Sequence, residues 1–184
     1  TNRAELRGRV VVTQFDMILK APRVFYEGNT GIARADRTIS IVDSNVNLTA
    51  KEGIYNTNTF IADFKGDVKI EDKDVVITAN VAKYNRRTLD SEADGNVKVD
   101  EDSVVIFSDK LFYHRKTRES KNHGNVVIKG KYNNVYLTGD TVINVPVKDY
   151  TLATGNPVLF QIDSSRYYNV WKYDTLTISC DSME

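Results

Sequence analysis

Gly95-Asn96-Val97-Lys98-Val99, an acidic turn, and then Val104-Val105-Ile106-Phe107-Ser108-Asp109-Lys110-Leu111-Phe112-Tyr113 form the stretch that decides the fold. Val97 and Val99 alternate with Asn96 and Lys98, a period of two that gives a strand one dry face and one wet face. The stretch is one copy of several. Gly66-Asp67-Val68-Lys69-Ile70, Gly95 to Val99 and Gly124-Asn125-Val126-Val127-Ile128 begin 29 residues apart, and Gly155-Asn156-Pro157-Val158-Leu159 follows 31 later. The same spacing run backwards reaches Arg37-Thr38-Ile39-Ser40-Ile41, which lacks the glycine, and Gly8-Arg9-Val10-Val11-Val12. A repeat of this length means a stack of similar units, each burying its apolar face on its neighbours.

Other columns keep the period. Tyrosine recurs at Tyr26, Tyr55, Tyr84 and Tyr113, and at the same offset into the last repeat as Tyr173; a small residue recurs at Ala4, Ala33, Ala62, Ser91 and Ser120. Threonine recurs from Thr1 onward, and because Thr1 and Ala4 are already in register, the chain is expected to be one domain over 1–184 cut from a longer protein. Valine and isoleucine outnumber leucine, alanine and methionine together, which is strand chemistry, and no capped segment of helical period is present. The expected fold is all β: an open jellyroll of two facing antiparallel sheets, built from about six repeats of 29–31 residues.

Composition narrows function. With 25 basic and 25 acidic side chains there is no electrostatic footprint for nucleic acid. One cysteine, Cys180, and two histidines make neither an internal disulfide nor a standard zinc site, and no cofactor is implied. The acidic columns (Asp43, Asp72 and Glu101; Asp16 and Asp74) read as solvated turns, as do the basic side chains Arg86, Arg87, Arg115, Lys116 and Arg118 after the tyrosines. His114 and His123 read as surface turn residues, and Tyr167, Tyr168, Trp171 and Tyr173 as an aromatic plug on the terminal core.

The glycine strand, the apolar strand and the Asp109-x-(apolar)-x-Tyr113 element, returning more loosely at Gly8 to Tyr26, Gly66 to Tyr84 and Gly124 to Ile143, resemble the OstA/LptA-like family of lipopolysaccharide-transport proteins. Asn80, Lys51 and Pro22 stand where Asp109 does, and Arg37 where glycine is usual, so three branches stay open: free periplasmic bridge, inner-membrane-anchored component, or N-terminal part of the outer-membrane translocon. The resemblance implies a non-enzymatic periplasmic module whose apolar trough shields lipid A acyl chains. A stacked β structure without capping helices leaves unpaired backbone rows on its first and last strands, so edge-to-edge partners of the same fold are expected, including head-to-tail self-association.

The expected lining is Val10, Val12, Ile39, Ile41, Val68, Ile70, Val97, Val99, Val126 and Ile128, faced by Leu19, Leu48, Ile77, Ile106 and Leu137. The expected rim is Tyr26, Tyr55, Tyr84, Tyr113 and Tyr173, with rings in the core and hydroxyls toward water or a head group. The columns by themselves read as a filled core, as in a surface or adhesin-type β-solenoid, and only the resemblance turns them into a trough. A polysaccharide-cleaving β-helix is disfavoured, because the acids are scattered among turns.

Overall fold

The computed structural model describes residues 2–43, 46–168 and 170–184, without the side chains of residues 165, 167 and 170. Thr1 of the threonine column and the Tyr167 side chain of the aromatic group lie outside the described residues. The strands in chain order are β1 (Arg3–Gln14), β2 (Met17–Glu27), β3 (Ile32–Ala35), β4 (Ile39–Asp43), β5 (Val46–Ala50), β6 (Glu52–Asn56), β7 (Ile61–Asp72) and β8 (Val75–Asn85). They continue as β9 (Asp90–Asp100), β10 (Val104–His114), β11 (Glu119–Gly130), β12 (Val135–Val145), β13 (Tyr150–Thr154), β14 (Val158–Tyr167), β15 (Val170–Ser179) and β16 (Ser182–Met183). All pair antiparallel in one sheet of 16 strands that does not close, so the fold is the open jellyroll. A single 3-10 turn, Pro146–Lys148, is the one helical element among the described residues, and no helix there is long and apolar enough to cross a membrane.

β1, β7, β9 and β11 each shift register at the repeat glycine. At Gly95 and Asn96 φ is +77° and +51°, and between β8 and β9 the pairing jumps from Thr78↔Lys98 to Val81↔Asp94, one residue more on the glycine strand. Two successive left-handed residues form a bulge that turns the strand from one sheet into the other, and glycine carries the first without a steric penalty. The element before the tyrosine packs over this corner: Asn125 Nδ2 donates to Asp109 Oδ2 at 2.9 Å, and Lys51 pairs with Asp67 at 2.7 Å in its own repeat. Where Arg37 replaces the glycine, the chain still bends, but the strand is interrupted there and splits into β3 and β4.

The bend divides every unit between two walls. The valine wall holds the residues after each glycine and the first half of the following strand; the tyrosine wall holds the rest. On β8 the inward side chains are Val75, Ile77 and Ala79, then Ala82 and Tyr84, so the alternation slips by one at the corner. That slip, and not an unbroken period of two, turns the tyrosines inward.

Candidate functional site

The predicted lining lies on one wall: Leu19, Leu48, Ile77, Ile106 and Leu137 do not face the valine column from opposite but pair beside it, and Leu159 and Ile178 extend the row into an unbroken ladder. Directly paired across successive strands are Val12, Leu19, Ile41, Leu48, Ile70, Ile77, Val99, Ile106, Ile128, Leu137, Leu159 and Ile178. At strand spacing this aliphatic row runs roughly 50 Å along the valine wall. Beside it, nearer the corner, large and small residues alternate: Val10↔Ala21, Ile39↔Ala50, Val68↔Ala79, Val97↔Ser108 and Val126↔Gly139. Small partners leave room where the walls converge.

The tyrosine wall follows the same rule. Its outer inward row reads Tyr26, Ala33, Tyr55, Ala62, Tyr84, Ser91, Tyr113, Ser120 and Asn144, so the small-residue column of the sequence is the partner of the tyrosine column. Ile143, in the position expected for tyrosine, faces outward, because the longer fifth repeat shifts the register and puts Asn144 in the row.

The rim reading needs correction. Tyr55 is 2% exposed, and Tyr84 and Tyr113 are also buried, with their hydroxyls inside the mouth of the fold. Tyr55 Oη donates to Gln14 Oε1 at 2.6 Å and Tyr84 Oη to Asp43 Oδ2 at 3.2 Å. Burial pushes the phenols of Tyr55, Tyr84 and Tyr113 upward, with the Asp43 carboxylate adding to the shift at Tyr84 and Asp72 at Tyr113. Tyr26 remains exposed at the N-terminal end, and Tyr173 stands exposed opposite Ser164 on the β14–β15 hairpin, outside the tyrosine row.

Asp16, Asp74, Arg87, Lys116 and Arg118 are exposed in turns as expected, but the solvated-turn reading fails for Asp43, Asp72, Arg86 and Arg115. Asp43 is 4% exposed and receives the Arg86 guanidinium, Nε lying 3.2 Å from Oδ2, while Arg86 also pairs with Asp16. One repeat on, Arg115 Nε reaches Asp72 Oδ2 at 2.7 Å. Each clasp ties the mouth end of the valine wall to the mouth end of the tyrosine wall, 41 or 43 residues further along the chain. Acid and guanidinium neutralise each other there, so neither side remains a solvated turn.

This spacing shows that the walls are skewed. Counting strands along each wall, Gln14 on β1 meets Tyr55 on β6, and Asp43 on β4 meets Tyr84 on β8, an offset of three strands each time. The skew leaves one wall uncovered at each end. At the N-terminal end the tyrosine wall shows Ala4, Leu6 and Tyr26. At the C-terminal end the valine wall emerges: Ile128, Leu137 and Leu159 are half-buried and Ile178 is 47% exposed, while Leu19 to Ile106 in the same row are buried. The trough is therefore a filled core over its N-terminal half and an open apolar shelf over its C-terminal end.

Among the described terminal aromatics, Tyr168, Trp171 and Tyr173 are exposed and form no core plug. His114 and His123 lie in strands, not turns, His114 paired with Asp90 and His123 Nδ1 2.8 Å from Thr141 Oγ1. His123 edges an open cleft of about 620 Å³ on the outside of the tyrosine wall, where Ile54, Val81 and Phe112 stand among alternating lysines and acids. The sequence carried no signal for this cleft, since its residues come from six strands and share no motif. Among the described residues no cluster of histidine, cysteine and acid could hold a metal ion.

Residues 1–80 match the family of OstA-like proteins, so the resemblance drawn from the repeats is found by direct comparison over that part of the chain. The family is one of lipopolysaccharide-transport-type modules, which bind and carry and do not catalyse. No curated protein matches the chain.

Proposed function

We propose, with the OstA-like character of residues 1–80 as premise, that the chain is a non-enzymatic periplasmic module that shields lipid A acyl chains on their way to the outer membrane. What supports this reading is the aliphatic ladder that leaves the packed core and continues, without a polar break, onto the uncovered shelf of Ile128, Leu137, Leu159 and Ile178. Burying a methylene contributes about 0.8 kcal/mol, so a chain of about a dozen carbons gains up to about 10 kcal/mol on such a surface. The attraction has no direction, which lets an acyl chain slide along the row. The closed N-terminal half acts as the scaffold that holds the shelf.

The partners fit the same geometry. The uncovered tyrosine wall at one end and the uncovered valine wall at the other complement each other, and β1 and β15 are free edges among the described residues. A second OstA-like domain, or another copy head to tail, would continue both sheets and cover the shelf.

A second reading, a structural solenoid with a closed core, draws on the clasped mouth over Tyr55, Tyr84 and Asp43. Photocrosslinking residues placed at Leu137, Ile77 and the outward Lys98 separate the two. Lipopolysaccharide adducts at Leu137 and not at Lys98 support the carrier; equal labelling at all three, or none, supports the closed solenoid.

A further inference from the structure

Three buried side-chain atoms among the described residues have no hydrogen-bond partner, and all fall in one short segment: Thr117 Oγ1 in the turn before β11, and Ser120 Oγ and Asn122 Nδ2 on β11 itself. Ser120 and Asn122 are successive inward positions on the tyrosine wall, and Asn122 is 1% exposed. An unpaired buried polar group is costly, so such a cluster calls for a partner that is not part of the protein.

The repeats show that these polar residues are local departures. The positions of Asn122 in earlier units hold Ala35, Phe64 and Ala93, and those of Ser108 hold Ala21, Ala50 and Ala79. Ser108 and Asn122 meet across the corner, Ser108 Oγ lying 3.2 Å from Asn122 Oδ1 and 3.1 Å from the Lys110 carbonyl. One hydroxyl proton serves only one of those acceptors. With the amide as placed, its N–H group is left without an acceptor; with the amide turned, Asn122 donates to Ser108, Ser108 to Lys110, and the amide oxygen is left without a donor. A hydroxyl satisfies either arrangement, since it both donates and accepts, and Ser120, the next inward residue on β11, carries a second unpaired oxygen. Asn122 and Ser120 share β11 with Ile128, the first half-buried residue of the ladder, which pairs with the half-buried Leu137 on β12.

We infer that Asn122 and Ser120 form a polar subsite on the floor of the trough that takes a hydroxyl group carried on an acyl chain, the chain itself lying against Ile128 and Leu137. The inference rests on the lipid-shielding reading above and adds to it a preference among acyl chains.

The test uses the purified chain and displacement of a fluorescent fatty acid by hydroxystearate or stearate. The wild type binds hydroxystearate about fivefold to tenfold more tightly, the worth of one or two net hydrogen bonds. Asn122→Leu abolishes that preference and keeps the affinity for stearate, and Ser120→Ala, a smaller change to the core, lowers it. Equal binding of the two lipids by the wild type, or a preference that survives in Asn122→Leu and Ser120→Ala, overturns the subsite while the lipid reading stands; a raised melting temperature in Asn122→Leu with unchanged preference does the same and marks the amide as packing strain. Failure of both lipids to bind removes the subsite and the lipid reading together.

Discussion

Asp43 and Tyr84 stand on opposite walls, and the Tyr84 hydroxyl donates to the Asp43 carboxylate across 3.2 Å. Replacing Tyr84 with Phe removes one bond to a charged group and is expected to cost about 1–2 kcal/mol. Asp43→Ala strips the partner from both Tyr84 and Arg86 and costs more, about 2–3 kcal/mol. Urea unfolding of the single variants and the double variant checks both values; additive effects would show that the two residues are not coupled.

Three buried phenols give the fold an alkaline limit. Tyr55, Tyr84 and Tyr113 hold their protons to higher pH than they do in the unfolded chain. Their stabilising contribution is complete below the unfolded phenol value of about 10 and is lost as pH rises beyond it toward the folded values, because the unfolded chain ionises first. Melting temperature is expected to fall above pH of about 10, and Tyr113→Phe should flatten that fall. A flat profile into strong alkali would contradict the burial.

At the corner, Gly95→Ala puts a side chain at φ +77° and against Asn80. The left-handed conformation alone costs about 1–2 kcal/mol for a residue with a Cβ. A lowered denaturation midpoint with unchanged circular dichroism is the expected outcome.

The ladder should grade in its energetics. Ile77→Ala, in the clasped half, is expected to cost about 3 kcal/mol, and Leu137→Ala, on the shelf, about half of that, because its cavity opens to solvent. Acyl-chain binding should respond in the opposite order, with Leu137→Ala the more damaging.

Trp171, the only tryptophan, is 56% exposed on the free edge strand β15. Its emission is expected to be that of a solvated indole at low protein concentration and to shift to the blue as the edge pairs with another domain. An emission maximum independent of concentration over the range in which light scattering shows association would place the contact elsewhere.

Much of this was legible in the sequence because the repeat multiplies each signal. Six copies of an alternating strand fixed the valine wall residue by residue, and every lining position from Val10 to Leu137 lies inward. The tyrosines were legible as inward rings but not as buried hydroxyls. Their partners, Gln14 and Asp43, are 41 residues away, and that distance follows from the three-strand skew of the walls, which no local pattern encodes. The same skew hid the roles of Arg86 and Arg115, whose positions after a strand suggested water. The slip of alternation at Asn80 and Val81 was invisible for another reason: it arises from a bulge on the partner strand, not from either residue. Asn122 and Ser108 stand in the sequence as polar interruptions of apolar columns, a signal carried by exceptions to the repeat and not by its agreement.

From β7 to β12 each strand is hydrogen-bonded to the strand just before and just after it in the chain. Closing such a hairpin costs less loop entropy than pairing strands that are distant in the chain. A polypeptide arranged in this way assembles progressively, unit upon unit, from whichever end is released first, and each completed hairpin templates the next.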